Sequence, residues 1–104
     1  MTTLDIKAGI CGYSTRVHAV KHERRSVAIM IESDCENITA FSKNLNQLSI
    51  KDIFHHPFNE NAVYEHAGQC GLHPACPVPC GVIKAAEVEL GLALKKDVSL
   101  KFQY

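Results

Sequence analysis

The sequence predicts one α+β domain over residues 1–104, in which a mostly antiparallel sheet is packed on one face by a block of helices. Segments in which apolar and polar residues alternate lie near both ends of the chain. Segments with apolar residues at helical spacing lie together between them. Because the helices are grouped rather than alternated with strands, this order favours α+β over a parallel α/β fold.

Three strands are expected first. Alternation runs through residues 4–10, is interrupted at Cys11-Gly12, and resumes through residues 13–19. A polar turn at residues 21–24 precedes a third alternating segment at residues 27–31. Short connections of this kind predict an antiparallel meander.

Capping patterns predict where the helices begin. Ser33–Glu36 has the form of a capping box and predicts a first helix. Ser49–Asp52 repeats the pattern and predicts a short second helix that ends before Pro57, while Asn59 is expected to cap a third. The apolar stripe of the first helix is expected to comprise Ile38, Phe41, Leu45 and Leu48, and that of the third Val63, Ala67 and Cys70.

The last two elements follow the cysteine-rich part of the chain. Residues 82–94 predict the longest helix, with Pro77 or Pro79 in its first turn. Its buried stripe is expected to comprise Ile83, Ala86, Leu90 and Leu94. Residues 98–102 then alternate again, with Val98, Leu100 and Phe102 on one side, and predict a C-terminal strand.

Composition narrows the class of function. The chain has 11 basic and 11 acidic residues, and this zero net charge argues against nucleic-acid binding, which needs a cationic surface. No apolar stretch approaches the roughly 20 residues of a membrane helix, and residues 1–5 do not begin a secretory signal. We therefore expect a cytoplasmic protein without a nucleic-acid or membrane partner, whose partner is another protein; its oligomeric state stays open.

The chain has five cysteines, which is a high number for 104 residues. Three of them lie in the segment Cys70–Gly81, together with three of the four prolines. Proline fixes φ and biases the preceding residue toward extended geometry, so this segment predicts an ordered loop that leads into a helix. In a reducing compartment, cysteines are more often ligands, reactive thiols or buried small side chains than disulfides.

The positions of the cysteines predict a metal site. Cys35, Cys76 and Cys80 lie where helices are expected to begin, and helix N-termini favour thiolates. Cys11 follows the first strand and could lie at the same end of the sheet. These four thiols are the predicted ligands of a zinc ion or an iron–sulfur cluster, with His73 or Cys70 as a substitute or supporting group. The spacing matches neither paired Cys-x-x-Cys knuckles nor a ferredoxin run.

Two alternatives use the same residues without a metal. A thiol or persulfide carrier, or a redox enzyme, would use a helix-terminal cysteine as nucleophile with His73 as base. A metal-free interaction domain would bury its cysteines as small apolar side chains. No phosphate-binding loop or Ser-His-Asp pattern is present, so the sequence favours a binding module over an enzyme and assigns no catalytic residue.

The segments 73–79 and 83–94, together with Cys11-Gly12 and Ser33–Cys35, resemble a family of small uncharacterised cysteine-containing proteins of methanogenic archaea and other anaerobes. The resemblance spans almost the whole chain. It implies an anaerobic setting, in which iron–sulfur chemistry is feasible, and it assigns no activity and no functional residue.

Overall fold

Four strands form a single antiparallel sheet in which each strand neighbours the next along the chain. The computed structural model describes all of residues 1–104. The sheet has the order β1-β2-β3-β4. The strands are β1 (Thr2–Lys7), β2 (Ser14–Glu23), β3 (Ser26–Ser33) and β4 (Gln47–Ser49). The predicted meander of three strands is therefore confirmed.

The register of the strands separates an apolar face from a polar one. Leu4 pairs with Val17, which in turn pairs with Ile31, so apolar side chains align across three strands. On the opposite face, Nε of Arg16 donates a hydrogen bond of 2.7 Å to Oδ1 of Asp5. Since successive residues of a strand point to opposite faces, the period-two pattern seen in the sequence decides which face is buried.

Four helices pack on the apolar face and confirm the α+β fold. They are α1 (Glu36–Asn44), α2 (Ile50–Phe54), α3 (Ala62–Gln69) and α4 (Val78–Glu89). The helix α4 lies over β1 and β2, and α1 lies over β3. Phe41, Leu48, Val17 and Val82 are fully buried in the core between sheet and helices. None of the helices has the length and apolar character needed to cross a membrane.

The longest helix begins four residues earlier than predicted, at Val78, and ends at Glu89. Pro79 fits its first turn because the backbone N–H groups there have no partner within the helix. Gly91, at φ 75°, ends it, with Leu92 N–H donating to the Glu87 carbonyl at 2.8 Å. The predicted buried stripe is accordingly wrong in part: only Ala86 of its members is buried, and the observed stripe comprises Val78, Val82, Ala85 and Ala86.

The capping predictions have mixed outcomes. The box at Ser49–Asp52 is confirmed by both of its hydrogen bonds, of 2.9 and 3.2 Å. The box at Ser33–Glu36 is wrong, because Cys35 occupies the N-cap of α1 and the Ser33 hydroxyl accepts a bond from the Cys35 N–H. The third helix is capped by Asn61 rather than Asn59. The buried Asn61 side chain also donates to three carbonyls at the end of α2.

The predicted C-terminal strand is wrong. Residues 95–104 form no helix or strand, and the fourth strand of the sheet is the three-residue β4, which is too short to show a pattern. Alternation specifies which side chains share a face but not which strand supplies the hydrogen bonds. The turn at Gly91 ends α4 with local hydrogen bonds, and no residue beyond Leu92 forms a backbone hydrogen bond.

Candidate cysteine-lined site

Three cysteines from distant parts of the chain line one cavity. The cavity has a volume of about 510 Å³, and Cys11, Cys35 and Cys76 contribute to its wall together with His73. The three thiols are carried by the turn after β1, the start of α1 and the loop before α4. The structure therefore brings together three of the four predicted thiol ligands and the predicted substitute ligand.

The turn that carries Cys11 is held by its backbone rather than by packing. Gly9 and Gly12 flank a single 3-10 turn and have φ values of 81° and 76°, a region that side chains disfavour. The Gly12 N–H donates to the Gly9 carbonyl at 2.9 Å. Cys11 is exposed, and its thiol has only a weak contact of 3.9 Å with the Ala8 carbonyl. This thiol can therefore move without disrupting the core.

Cys35 is fixed more firmly, at the N-cap of α1. Its φ of −77° and ψ of 122° are extended, as is usual at that position. Its carbonyl accepts a bond of 2.9 Å from the Thr39 N–H, the first bond of the helix, and its side chain is half-buried. The side chain makes no capping hydrogen bond, so the sulfur stays free beside the positive end of the helix.

Cys76 and His73 are held by the same turn. The Cys76 N–H donates to the His73 carbonyl at 3.0 Å, which closes four residues into a tight turn. The Val78 N–H, one of the free donors at the start of α4, lies near the Cys76 thiol and lowers its pKa. Two helices therefore begin at this cavity with a cysteine next to each N-terminus.

The pKa of the Cys76 thiol depends on its burial and on the other two cysteines of the cavity. Burial raises the pKa of the Cys76 thiol above its ordinary value, and the nearby Cys11 and Cys35 raise it further, while the Val78 N–H opposes the shift. The raised pKa is that of a thiol that lines the same cavity as Cys11 and Cys35. It also keeps Cys76 protonated near neutral pH, so a ligand that binds the thiolate has to displace a proton.

The rest of the cavity wall is largely apolar, with acidic groups among the remaining residues. Asp34 and Glu36 flank Cys35 and contribute negative charge near the thiols. Ile10, on the same turn as Cys11, is fully exposed although it lines the cavity. The acidic groups make the site more favourable for a cation than for an anion.

Cys80 and Cys70 do not line this cavity. Because α4 begins at Val78, Cys80 lies within its first turn and is exposed. It is close to Tyr64, whose pKa is raised by burial and by the Cys80 thiol. Cys70 is half-buried at the end of α3, where the Asn44 side-chain amide contacts its sulfur at 4.0 Å. No three Cys, His, Asp or Glu side chains are close enough together to hold a metal ion in this conformation.

A polar network that the sequence does not predict lies on the open face of the sheet. Nδ1 of His18 lies 3.0 Å from the Thr3 hydroxyl, and Nε2 lies 2.9 Å from Oε1 of Glu32. Beside it, a shallow depression of about 560 Å³ is lined by Arg16, Asp34 and other mostly polar residues. The alternation of the strands places these residues on one face, but their pairing depends on a register that the sequence does not specify.

Fold and cavity together define a small α+β domain with a cysteine-lined pocket at one end of its sheet. A comparison with curated proteins and with solved structures found no significant match. The chain belongs to the family of unknown function DUF6951, whose sequence model matches residues 2–102. This match confirms the expectation of a family without an assigned activity; its distribution among methanogens and other anaerobes stays a prediction.

Proposed function

We propose that this domain is a metal-binding module, in which Cys11, Cys35 and Cys76 bind a zinc ion and His73 supplies the fourth donor. The observation that carries the proposal is the presence of these four side chains around one cavity. Three thiolates and one imidazole are a common donor set of structural zinc sites. A four-thiolate cluster site is less favoured, because Cys80 does not line the cavity.

Binding requires the cavity to contract, since the four donors are not within coordinating distance of a common point. The exposed turn at residues 9–12 is the element that can move, because none of its residues is buried. Inward movement of Cys11 would bring it toward the two cysteines held at the helix starts and cover Ile10. Metal binding and ordering of this turn would therefore be coupled.

The surroundings suit a divalent cation. Asp34 and Glu36 offset its charge, and each thiolate loses the mutual repulsion that now raises the pKa of Cys76. Zinc binding would release protons from the thiols, so the affinity is expected to fall as the pH is lowered. An anaerobic setting, as implied by the sequence resemblance, would keep the thiols reduced and available.

Calorimetric titration of the reduced protein with zinc tests the proposal. We expect one ion per chain, and Cys11→Ser, Cys35→Ser and Cys76→Ser should each weaken binding at least about tenfold, or 1.4 kcal/mol. Cys80→Ser is the matched control, because Cys80 lies outside the cavity. Equal affinity in all four variants, or no binding by the unsubstituted chain, would rule the proposal out.

A metal-free thiol carrier is the second candidate, and the exposure of Cys11 is the observation that favours it. Its exposed thiol is accessible to a partner, whereas the raised pKa of Cys76 disfavours that residue as the attacking group. Rapid labelling of Cys11 in a protein that binds no zinc would support this candidate over the metal site.

A further inference from the structure

The C-terminal segment 97–104 has the pattern of a strand but no partner. Val98, Leu100, Phe102 and Tyr104 alternate with polar residues, and their exposed fractions are 62%, 92%, 87% and 114%. No residue beyond Leu92 makes a hydrogen bond or an ion pair. Four large apolar side chains this exposed within eight residues are unusual, and such exposure is typical of interaction sites.

The sheet has a free edge of matching length. β1 pairs with β2 only, so the other side of its six residues presents unpaired backbone donors and acceptors. Its side chains also alternate, with Leu4 and Ile6 toward the helices and Asp5 toward the open face. A strand added here with its apolar side toward the helices would place Lys101 on the same face as Asp5.

Apolar side chains of β1 and α4 lie next to this edge. Gly81 of α4 is packed against Leu4 and Ile6, and Val88, seven residues later, lies on the same side of the helix. Both Leu4 and Val88 are half-buried. The apolar side of an added strand would cover them and complete the core at this edge.

The source of the added strand follows from the way α4 ends. Gly81 lies beside Leu4 and Ile6, whereas Glu89 bonds to Thr2, so α4 runs antiparallel to β1. The hydrogen bonds around Gly91 then set the direction of the chain, and the segment that follows does not return to its own sheet. We propose that residues 97–104 of one copy add as a fifth strand to β1 of a second copy, reciprocally, to form a twofold dimer.

The size of such an interface is sufficient. Specific interfaces bury about 1,200–2,000 Å² in total. Phe102 and Tyr104 bury about 150–250 Å² each when covered, so the four rings of a reciprocal exchange supply about 600–1,000 Å². Val98, Leu100 and the covered β1 edge of each copy add to that area. A twofold exchange also covers both free β1 edges at once, which removes two sites for uncontrolled association. This proposal is independent of the metal site.

Light scattering on the full chain, with chelator present, tests the exchange. We expect a mass of twice 11.5 kDa, since that is the mass of one chain. The double variant Leu100→Asp/Phe102→Asp should be a monomer of unchanged thermal stability at low concentration, because these side chains contact no core residue in the single copy. Ser99→Thr/Gln103→Lys, on the other side of the segment, should remain a dimer.

Amide hydrogen exchange in β1 distinguishes the possible partners of the segment. Protection of the outward amides of β1 in the dimer, lost in Leu100→Asp/Phe102→Asp, supports exchange. A monomeric full chain overturns it, whether β1 is unprotected or is protected by its own C-terminal segment. A dimer that persists in the double variant overturns it as well, since its interface then lies elsewhere.

Discussion

The hydroxyl of Thr2 donates a hydrogen bond of 2.8 Å to Oε1 of Glu89, and so joins the first residue of β1 to the last residue of α4. The other carboxylate oxygen of Glu89 accepts a bond of 2.9 Å from the backbone N–H of Lys21. One carboxylate thus links two strands to the helix that covers them. Hydrogen bonds to a charged acceptor are stronger than neutral ones, so this contact fixes how α4 lies on the sheet.

Glu89→Gln should lower the free energy of unfolding at pH 7 by about 1 kcal/mol, because the amide can accept only one of the two bonds. The bonds from Lys21 and Thr2 hold the pKa of Glu89 below its ordinary value. A lowered folded-state pKa stabilises the protein above the unfolded-state pKa, and this contribution is lost as the pH falls below about 4.5 through the folded-state value.

Urea unfolding at several pH values measures this effect. The difference in free energy of unfolding between the unsubstituted chain and Glu89→Gln should decrease as the pH is lowered below about 4.5. Glu87→Gln is the control, since the side-chain hydrogen bonds that join α4 to the strands are made by Glu89 and not by Glu87. A difference for Glu89→Gln that does not change with pH would contradict this interpretation.

Gly81→Ala should destabilise the fold although alanine favours helices. A Cβ at this position would overlap Cδ1 of Ile6 and lie 3.2 Å from Cδ2 of Leu4. Overpacking costs about 1–3 kcal/mol, whereas the gain in helix propensity is about 1 kcal/mol. We therefore expect a net loss of up to about 2 kcal/mol in chemical unfolding.

Gly68→Ala in α3 is the matched control for this comparison. Nothing lies within 4 Å of a Cβ added there, so only the propensity gain of about 1 kcal/mol applies. The two substitutions should therefore have opposite signs. Stabilisation by both would show that the side chains of Ile6 and Leu4 rearrange around the added methyl group without cost.

Asn61→Ala should be among the more damaging polar substitutions. The side-chain oxygen of Asn61 caps α3 through the Val63 N–H, and its amide donates to the carbonyls of Asp52, Ile53 and His55. Loss of the cap costs about 1 kcal/mol, and the Ile53 carbonyl, which is buried and would be left without this donor, costs about 1–3 kcal/mol more. The melting temperatures of Asn61→Ala and Asn59→Ala test which residue caps α3, and Asn61→Ala should lower the melting temperature more. Equal losses in the two variants would contradict the assignment.

The reactivity of Cys76 should depend on Cys11 and Cys35. Removing both by Cys11→Ser/Cys35→Ser lowers the pKa of Cys76, because two groups that raise it are lost while its burial remains. The pH profile of alkylation at Cys76, followed by peptide mass spectrometry, should shift toward lower pH. The control Cys70→Ser should leave it in place, and an unchanged profile in the double variant would show that the thiols do not interact.

Much of this fold could be predicted from local patterns. The alternation around Val17 and Val27 predicts the buried face of the sheet, because the side-chain period of a strand is independent of its partner. The capping box at Ser49–Asp52 is equally local. The start of α4 could not be predicted, since Pro79 is compatible both with a loop and with the first turn of a helix.

The part of the candidate site that the sequence could predict is the set of cysteines that lie where a strand ends or a helix begins. Cys11, Cys35 and Cys76 meet because the turn after β1 and the starts of α1 and α4 lie at one end of the sheet. The sequence predicts Cys80 as a ligand together with Cys76, but only Cys76 lines the cavity. Each residue of a helix is rotated by about 100° from the one before it, so the side that Cys80 faces depends on the residue at which α4 begins. Cys80 lies near Tyr64 and outside the cavity.

X-ray absorption at the zinc edge of the reduced, zinc-loaded protein tests the metal-binding proposal most directly. It predicts three sulfur ligands at about 2.3 Å and one nitrogen at about 2.0–2.1 Å. In Cys11→Ser one sulfur should be lost, and in Cys80→Ser the coordination should be unchanged. A zinc ion bound by oxygen and nitrogen alone, or a sulfur count that does not respond to Cys11→Ser, would contradict the proposal.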